Sequence, residues 1–117
     1  MKEYLMLIRN NVEEEKEMSP EEMQKSIAAH TKWVGELIEK GHFKGGDPLM
    51  PEGTCIKGSK KIVTDGPFAE MKESISGYYF ILANSLEEAT EVCKGCPSLE
   101  LDEATLEIRE IINVEKP

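Results

Sequence analysis

In this 117-residue chain, His30 and the Asp65-Gly66-Pro67 run are the groups best placed to do chemistry. An aspartate at the end of an apolar run can aim its carboxylate at one place. Pro67 fixes its own φ and pushes Gly66 away from helical angles, which restrains the turn. The commoner role of such an aspartate is to accept backbone N–H bonds within its own turn. His30 falls on an apolar helical stripe, and an imidazole titrating near neutral pH is the usual general base. The plainer reading is a half-buried histidine bonded to a backbone carbonyl or a neighbouring hydroxyl. A carboxylate on the second ring nitrogen would hold the tautomer, and Asp65 or Asp47, arriving from loops, could supply it. Glu39 points the other way, because nine residues along a helix rotate by about half a turn. A His30–Asp65 pair would raise the histidine pKa, and Asp65→Asn would remove that shift.

The stretch VTDGPFAEMKES, residues 63–74, surrounds these groups with further candidates. It is too long for a hairpin turn, and long irregular connections in small domains are often functional. Phe68 would anchor it to the core and hold Asp65 at a pocket mouth, with Trp33 as an apolar wall or core filler. Lys72 and Glu73 would close the stretch, although adjacent opposite charges are ordinarily worth little. Arg109, in a late strand, needs solvent or a carboxylate, either a ligand's or a nearby glutamate's. Trp33, Asp47, Phe68, Lys72, Glu73 and Arg109 thus form the candidate binding set around the candidate catalytic pair.

Other chemistries fit less well. CKGC (93–96) has redox spacing, but Cys93 lies near a helix C-terminus, where the dipole disfavours thiolate, and on an apolar face. It reads as a core cysteine before a helix stop. Cys55, His30 and His42 are not at ligand spacing, so no metal site is expected. KGGDP lacks the strand–turn–helix setting of a phosphate loop, and no cofactor is indicated. A net charge of -9 argues against nucleic acid or an anionic membrane as partner. The basic cluster Lys57, Lys60 and Lys61 reads as a solvated turn. Three cysteines without an export signal suggest a reducing cytoplasm, and no stretch approaches membrane-spanning length.

Positioning these residues requires a framework, and the patterning supplies one over residues 1–117 as a single domain. YLMLI (4–8) is a compact apolar run with the length of a buried strand. Ser19, Pro20 and Glu22 form a helix start, and the helix runs to about Lys40 with a stop at Gly41. Its stripe is Met23, Ile27, His30, Val34 and Leu37, flanked by Trp33 and Ile38. Residues 42–53 allow only a short, interrupted strand. TCIK and KKIV form a hairpin with Gly58-Ser59 as a two-residue turn. GYYFILA (77–83) is a strong strand. Ser85 and Glu88 open a second helix with Leu86, Ala89, Val92 and Cys93 inward. TLEIREIINV (105–114) gives a last strand, with Leu106, Ile108 and Glu110 on one side. The order predicts an α+β ferredoxin-like sandwich with an inserted hairpin. YLMLI and YYFIL are apolar on both faces, which predicts a homodimer packed sheet to sheet.

VTDGPFAEMKESISGYYFI resembles the signature of the YCII-related family in its DGPF-motif branch. YLMLIRN, MSPEEM and the Gly41–Leu49 segment resemble the family's opening strand, helix start and Gly-rich turn. SLEEATEVCKGCP and LEIREI resemble its second helix and closing strand. The resemblance implies a dimeric ferredoxin-like fold with a pocket between sheet and helix. It implies a catalytic histidine–aspartate pair, with His30 matching the helical histidine. It also implies, through labels on some relatives, an accessory role in transcription, to which the acidic charge gives no support as direct DNA binding. Three readings follow: a small cytoplasmic homodimer binding a small molecule or partner segment at the first helix, sheet and DGPF loop; an enzyme using His30 with Asp65 on a small polar substrate; and a transcription accessory.

Overall fold

β1 (Lys2–Asn11) runs through the middle of a four-stranded antiparallel sheet in the computed structural model, which describes residues 1–11, 17–50, 52–66 and 73–114. Strand alternation sends Tyr4, Met6 and Ile8 into the core and leaves Leu5 and Leu7 half-exposed on the other face. β5 (Glu73–Ala83) pairs along one side of β1 and β6 (Thr105–Glu110) along the other. β2 (Phe43–Pro48) completes the sheet beyond β5, giving the order β2-β5-β1-β6. Each half is a split βαβ unit, β1-α1-β2 around β5 and β5-α2-β6 around β1. That is the ferredoxin-like α+β arrangement expected from the element order.

The helices end where the sequence says they should. α1 (Pro20–Glu39) begins at Ser19, whose hydroxyl accepts from the Glu22 N–H at 3.1 Å. It ends in a Schellman motif: the Gly41 N–H donates to the Ile38 carbonyl and the His42 N–H to the Leu37 carbonyl. Gly41 sits at φ 77°, a conformation a side chain would resist. α2 (Leu86–Cys93) starts at Ser85, which accepts from the Glu88 N–H, while Glu88 reaches back to the Asn84 N–H. Both helices lie over the Tyr4–Met6–Ile8 face, where Leu37, Ile81, Ala83, Ala89 and Cys93 join the core.

Three expectations are corrected. On α1 the buried side is Trp33 and Leu37, so Trp33 is central rather than flanking. Met23, Ile27 and Ile38 are 52%, 63% and 59% exposed. The core-facing positions in the N-terminal half are Ser26 and Ala29, both half-buried, which rotates the used face away from Met23 and Ile27. On α2, Leu86 is exposed. The inserted hairpin, β3 (Gly53–Lys57) and β4 (Ile62–Gly66), turns over four residues instead of two. A two-residue Gly-Ser turn of the I′ type needs positive φ at both positions. Here Gly58 (72°) and Lys61 (54°) take the left-handed conformation, and the Lys61 N–H bonds the Gly58 carbonyl.

Gly46 holds the edge of the sheet to its neighbour. A Cβ there would lie 2.6 Å from the Tyr78 carbonyl oxygen and 2.7 Å from the Tyr79 ring. Only glycine lets β2 close over Tyr79. Gly46→Ala should therefore cost roughly 1–3 kcal/mol by denaturant titration, as overpacking of this kind does. Gly35, on the exposed side of α1, has nothing within 4 Å of its virtual Cβ. Gly35→Ala should stabilise by about 0.5–1 kcal/mol in the same assay.

Candidate functional site

His30, half-buried on α1, has both ring nitrogens engaged. Nδ1 lies 3.0 Å from the Tyr79 hydroxyl and Nε2 lies 3.0 Å from the Ser98 hydroxyl. Tyr79 points from β5 toward α1 because it falls on the Tyr4–Met6 side of the alternation, opposite Met6. Its ring stacks on Trp33 at 5.5 Å between centroids, and meets Phe43 and His30 edge-on at 5.9 and 6.1 Å. Ser98 is buried in a single 3-10 turn, Pro97–Glu100, that follows α2. Ser98 lies close enough to Cys96 to oppose part of the burial-driven rise in that thiol's pKa. Cys93, the last residue of α2, and Cys96, just before this turn, are both buried.

Burial governs the electrostatics. It lowers the His30 pKa below 6.5, since the imidazolium would lose solvation. Burial raises Tyr79 to about 12, with a smaller push from Cys96. Cys93 likewise rises to about 12, first through burial and then through Cys96. Cys96 is also raised by burial, which outweighs the opposing effect of Ser98. At neutral pH the hydroxyl–imidazole–hydroxyl chain and the thiols near it are uncharged. A neutral imidazole has one donor and one acceptor, and rotatable hydroxyls complement either tautomer. For His30 to accept a substrate proton, one of these hydroxyls must first give way.

The candidate residues are distributed as follows. His30 and Trp33 come together around Tyr79. Asp65 is exposed in β4, opposite Thr54 in the separate two-stranded sheet, and is not a hydrogen-bond partner of His30. It is a strand residue rather than part of a loop. Asp47 accepts from the Tyr78 hydroxyl at 3.0 Å, on the sheet face opposite Tyr79. Arg109 is exposed and 3.9 Å from Glu107, a loose structural pair. Phe68 and Lys72 lie outside the described residues, as does the side chain of Glu73, the first residue of β5. The expected upward shift of His30 is replaced by a downward one, because its neighbours are neutral hydroxyls and aromatic rings instead of a carboxylate.

Between α1 and the Lys94–Glu100 segment runs an open groove of about 460 Å³, with Trp33, Lys32 and Glu36 on one wall and Lys94, Cys96 and Glu100 on the other. Among the described residues no three His, Cys, Asp or Glu side chains converge as metal ligands, and no helix is long and apolar enough to cross a membrane.

With β1, α1, the sheet order and the helical histidine in place, the comparison with known families is direct. A family model for the YCII-related domain matches residues 3–115. The chain belongs to the YCII-related domain family. Among curated proteins none matches it. In this YCII-related domain, sequence reasoning missed Tyr79 and Ser98. Tyr79 left a signal: a tyrosine at an inward strand position needs a partner for its hydroxyl. Ser98 left none, since a serine after proline in a short loop has no periodicity.

Two measurements check this site. In an NMR titration His30 should protonate below 6.5, and Asp65→Asn should leave that value unchanged. As pH falls below 6.5 the unfolded chain takes up a proton that folded His30 resists, so His30 removes stability on the acid side and is without effect above it. His30→Gln should flatten that acid-side decline. With a thiol reagent, Cys55 alone should react in the folded protein, because Cys93 and Cys96 are buried. Cys93→Ser should cost about 1 kcal/mol or more, since a hydroxyl enters the core. A reversible Cys93–Cys96 disulfide under cytosolic redox conditions would overturn this reading.

Proposed function

We propose that this YCII-related domain is a small cytoplasmic homodimer that binds a small molecule or a partner segment beside α1 and the sheet. The observation that favours binding over catalysis is the double engagement of His30: both nitrogens are held by hydroxyls, and burial keeps the ring neutral. Such an imidazole orients hydrogen bonds rather than exchanging protons. The dimer is supported by the open face of the sheet. Leu5, Leu7, Tyr78, Phe80 and Leu82 share that face, all half-exposed, and Tyr78 and Phe80 meet edge-on at 5.7 Å. The helices cover only the opposite face. Apolar area of this kind on a two-layer protein is stabilised by a second layer, and another copy of the same sheet offers matching chemistry. Arg9, paired with Glu107 at 2.9 Å, gives this face a polar border.

Light scattering of a dilute sample should give twice the chain mass, and a clean monomer at micromolar concentration would remove the dimer. Native mass spectrometry of the purified protein should show a discrete bound mass that His30→Gln weakens. A bound compound that is chemically converted over time, with conversion lost in His30→Gln, would replace the binding reading by the acid–base one with His30.

A further inference from the structure

The β3–β4 hairpin has an exposure that its own fold does not explain. It forms a two-stranded sheet apart from the main one, and every described residue from Glu52 to Asp65 is exposed. Ile56 and Val63 sit opposite each other on one face, 69% and 60% exposed, and Ile62 on the other face is 56% exposed. An isolated two-stranded hairpin is marginal in water and needs something packed against it. The chain is also more extended than its length requires. Its radius of gyration is 15.7 Å, against about 13 Å for a compact domain of this size.

A second bare surface lies on α1. Met23, Ile27 and Ile38 are exposed at helical spacing, with Val34 half-buried between them, forming an apolar stripe beside the one the core uses. The two surfaces differ in charge. The hairpin carries Lys57, Lys60 and Lys61 around its turn and one acidic residue, Asp65, in a chain whose net charge is -9. Pro20–Glu39 carries four glutamates and two lysines. An apolar strand pair with a basic tip thus has its complement in an apolar helix stripe with acidic flanks. Nucleic acid fits the hairpin poorly, because three lysines on so acidic a chain make too small a basic surface.

We propose that the β3–β4 hairpin is a dimer arm that seats Ile56 and Val63 against Met23 and Ile27 on α1 of a second copy, with its lysines facing that helix's glutamates. The arm rests on the homodimer reading and adds a second contact to the sheet-to-sheet one. In a two-fold dimer the exchange is reciprocal, so each protomer gives an arm and receives one.

The test is a double-mutant cycle read by sedimentation equilibrium, with circular dichroism to confirm folding. The hairpin variant is Ile56→Thr with Val63→Thr, which keeps strand propensity. The helix variant is Met23→Gln with Ile27→Gln, which keeps helix propensity. Each should weaken dimerisation by about tenfold, and the combination should be no weaker than the worse of the two, because both remove the same contact. Leu7→Lys, on the open sheet face, separates the two readings. A dimer split by Leu7→Lys but indifferent to both double variants overturns the arm and keeps the sheet contact. A dimer weakened by the arm variants but not by Leu7→Lys keeps the arm and overturns the sheet contact. Effects that multiply instead of overlapping overturn the pairing of hairpin with helix. A monomer at every concentration overturns both.

Discussion

The Tyr79 ring is the fixture on which the rest of the structure depends. It stacks on Trp33, meets Phe43 and His30 edge-on, and bonds the imidazole through its hydroxyl. β2 can lie over it only because Gly46 has no Cβ. A similar accommodation holds on the other side of Trp33, where a Cβ at Gly95 would lie 2.9 Å from the indole nitrogen. Two glycines, one on the edge strand and one just past α2, thus let two aromatic side chains fill the space between sheet and helix. Removing side-chain volume from the backbone at these points is what permits it deeper in the core.

The chemistry of His30 follows from that packing. A histidine beside aromatic rings and a buried serine loses hydration, and among the described residues no carboxylate hydrogen-bonds it to restore the charged form. Hydroxyls satisfy its nitrogens without charge. The same burial holds Cys93 and Cys96 as thiols, so a CxxC spacing that could serve redox chemistry elsewhere serves packing here. Desolvation is the common cause: it lowers the His30 pKa and raises those of Cys93 and Cys96, favouring the neutral form of all three.

The two sides of the sheet divide the work. One side is closed by α1 and α2 within the chain; the other presents Leu5, Leu7, Tyr78, Phe80 and Leu82 with a charged border. The hairpin and the outer stripe of α1 repeat this imbalance at the periphery. A chain of this length has few elements with which to cover apolar surface, and here both helices lie on one side of the four-stranded sheet.

The sequence by itself determined the elements, because their signals are local. Ser19 and Ser85 cap their helices as the residue types require, Gly41 ends α1, and alternation puts Met6, Ile81 and Ile108 on one side. The order of those elements was enough for the ferredoxin-like sheet, while the family was legible in the residues of the 63–81 stretch. The partners of His30 were decided only by tertiary structure. Tyr79 and Ser98 are 49 and 68 residues from it, and a hydrogen bond between distant segments has no periodicity to read. The rotation of α1 toward Trp33 was likewise settled by packing, since Met23 and Ile27 fit a helical stripe equally well in sequence but meet no sheet beneath them. Asp65 shows the same limit from the other side: its turn-like neighbours suggested a loop, whereas pairing with Thr54 made it part of a strand.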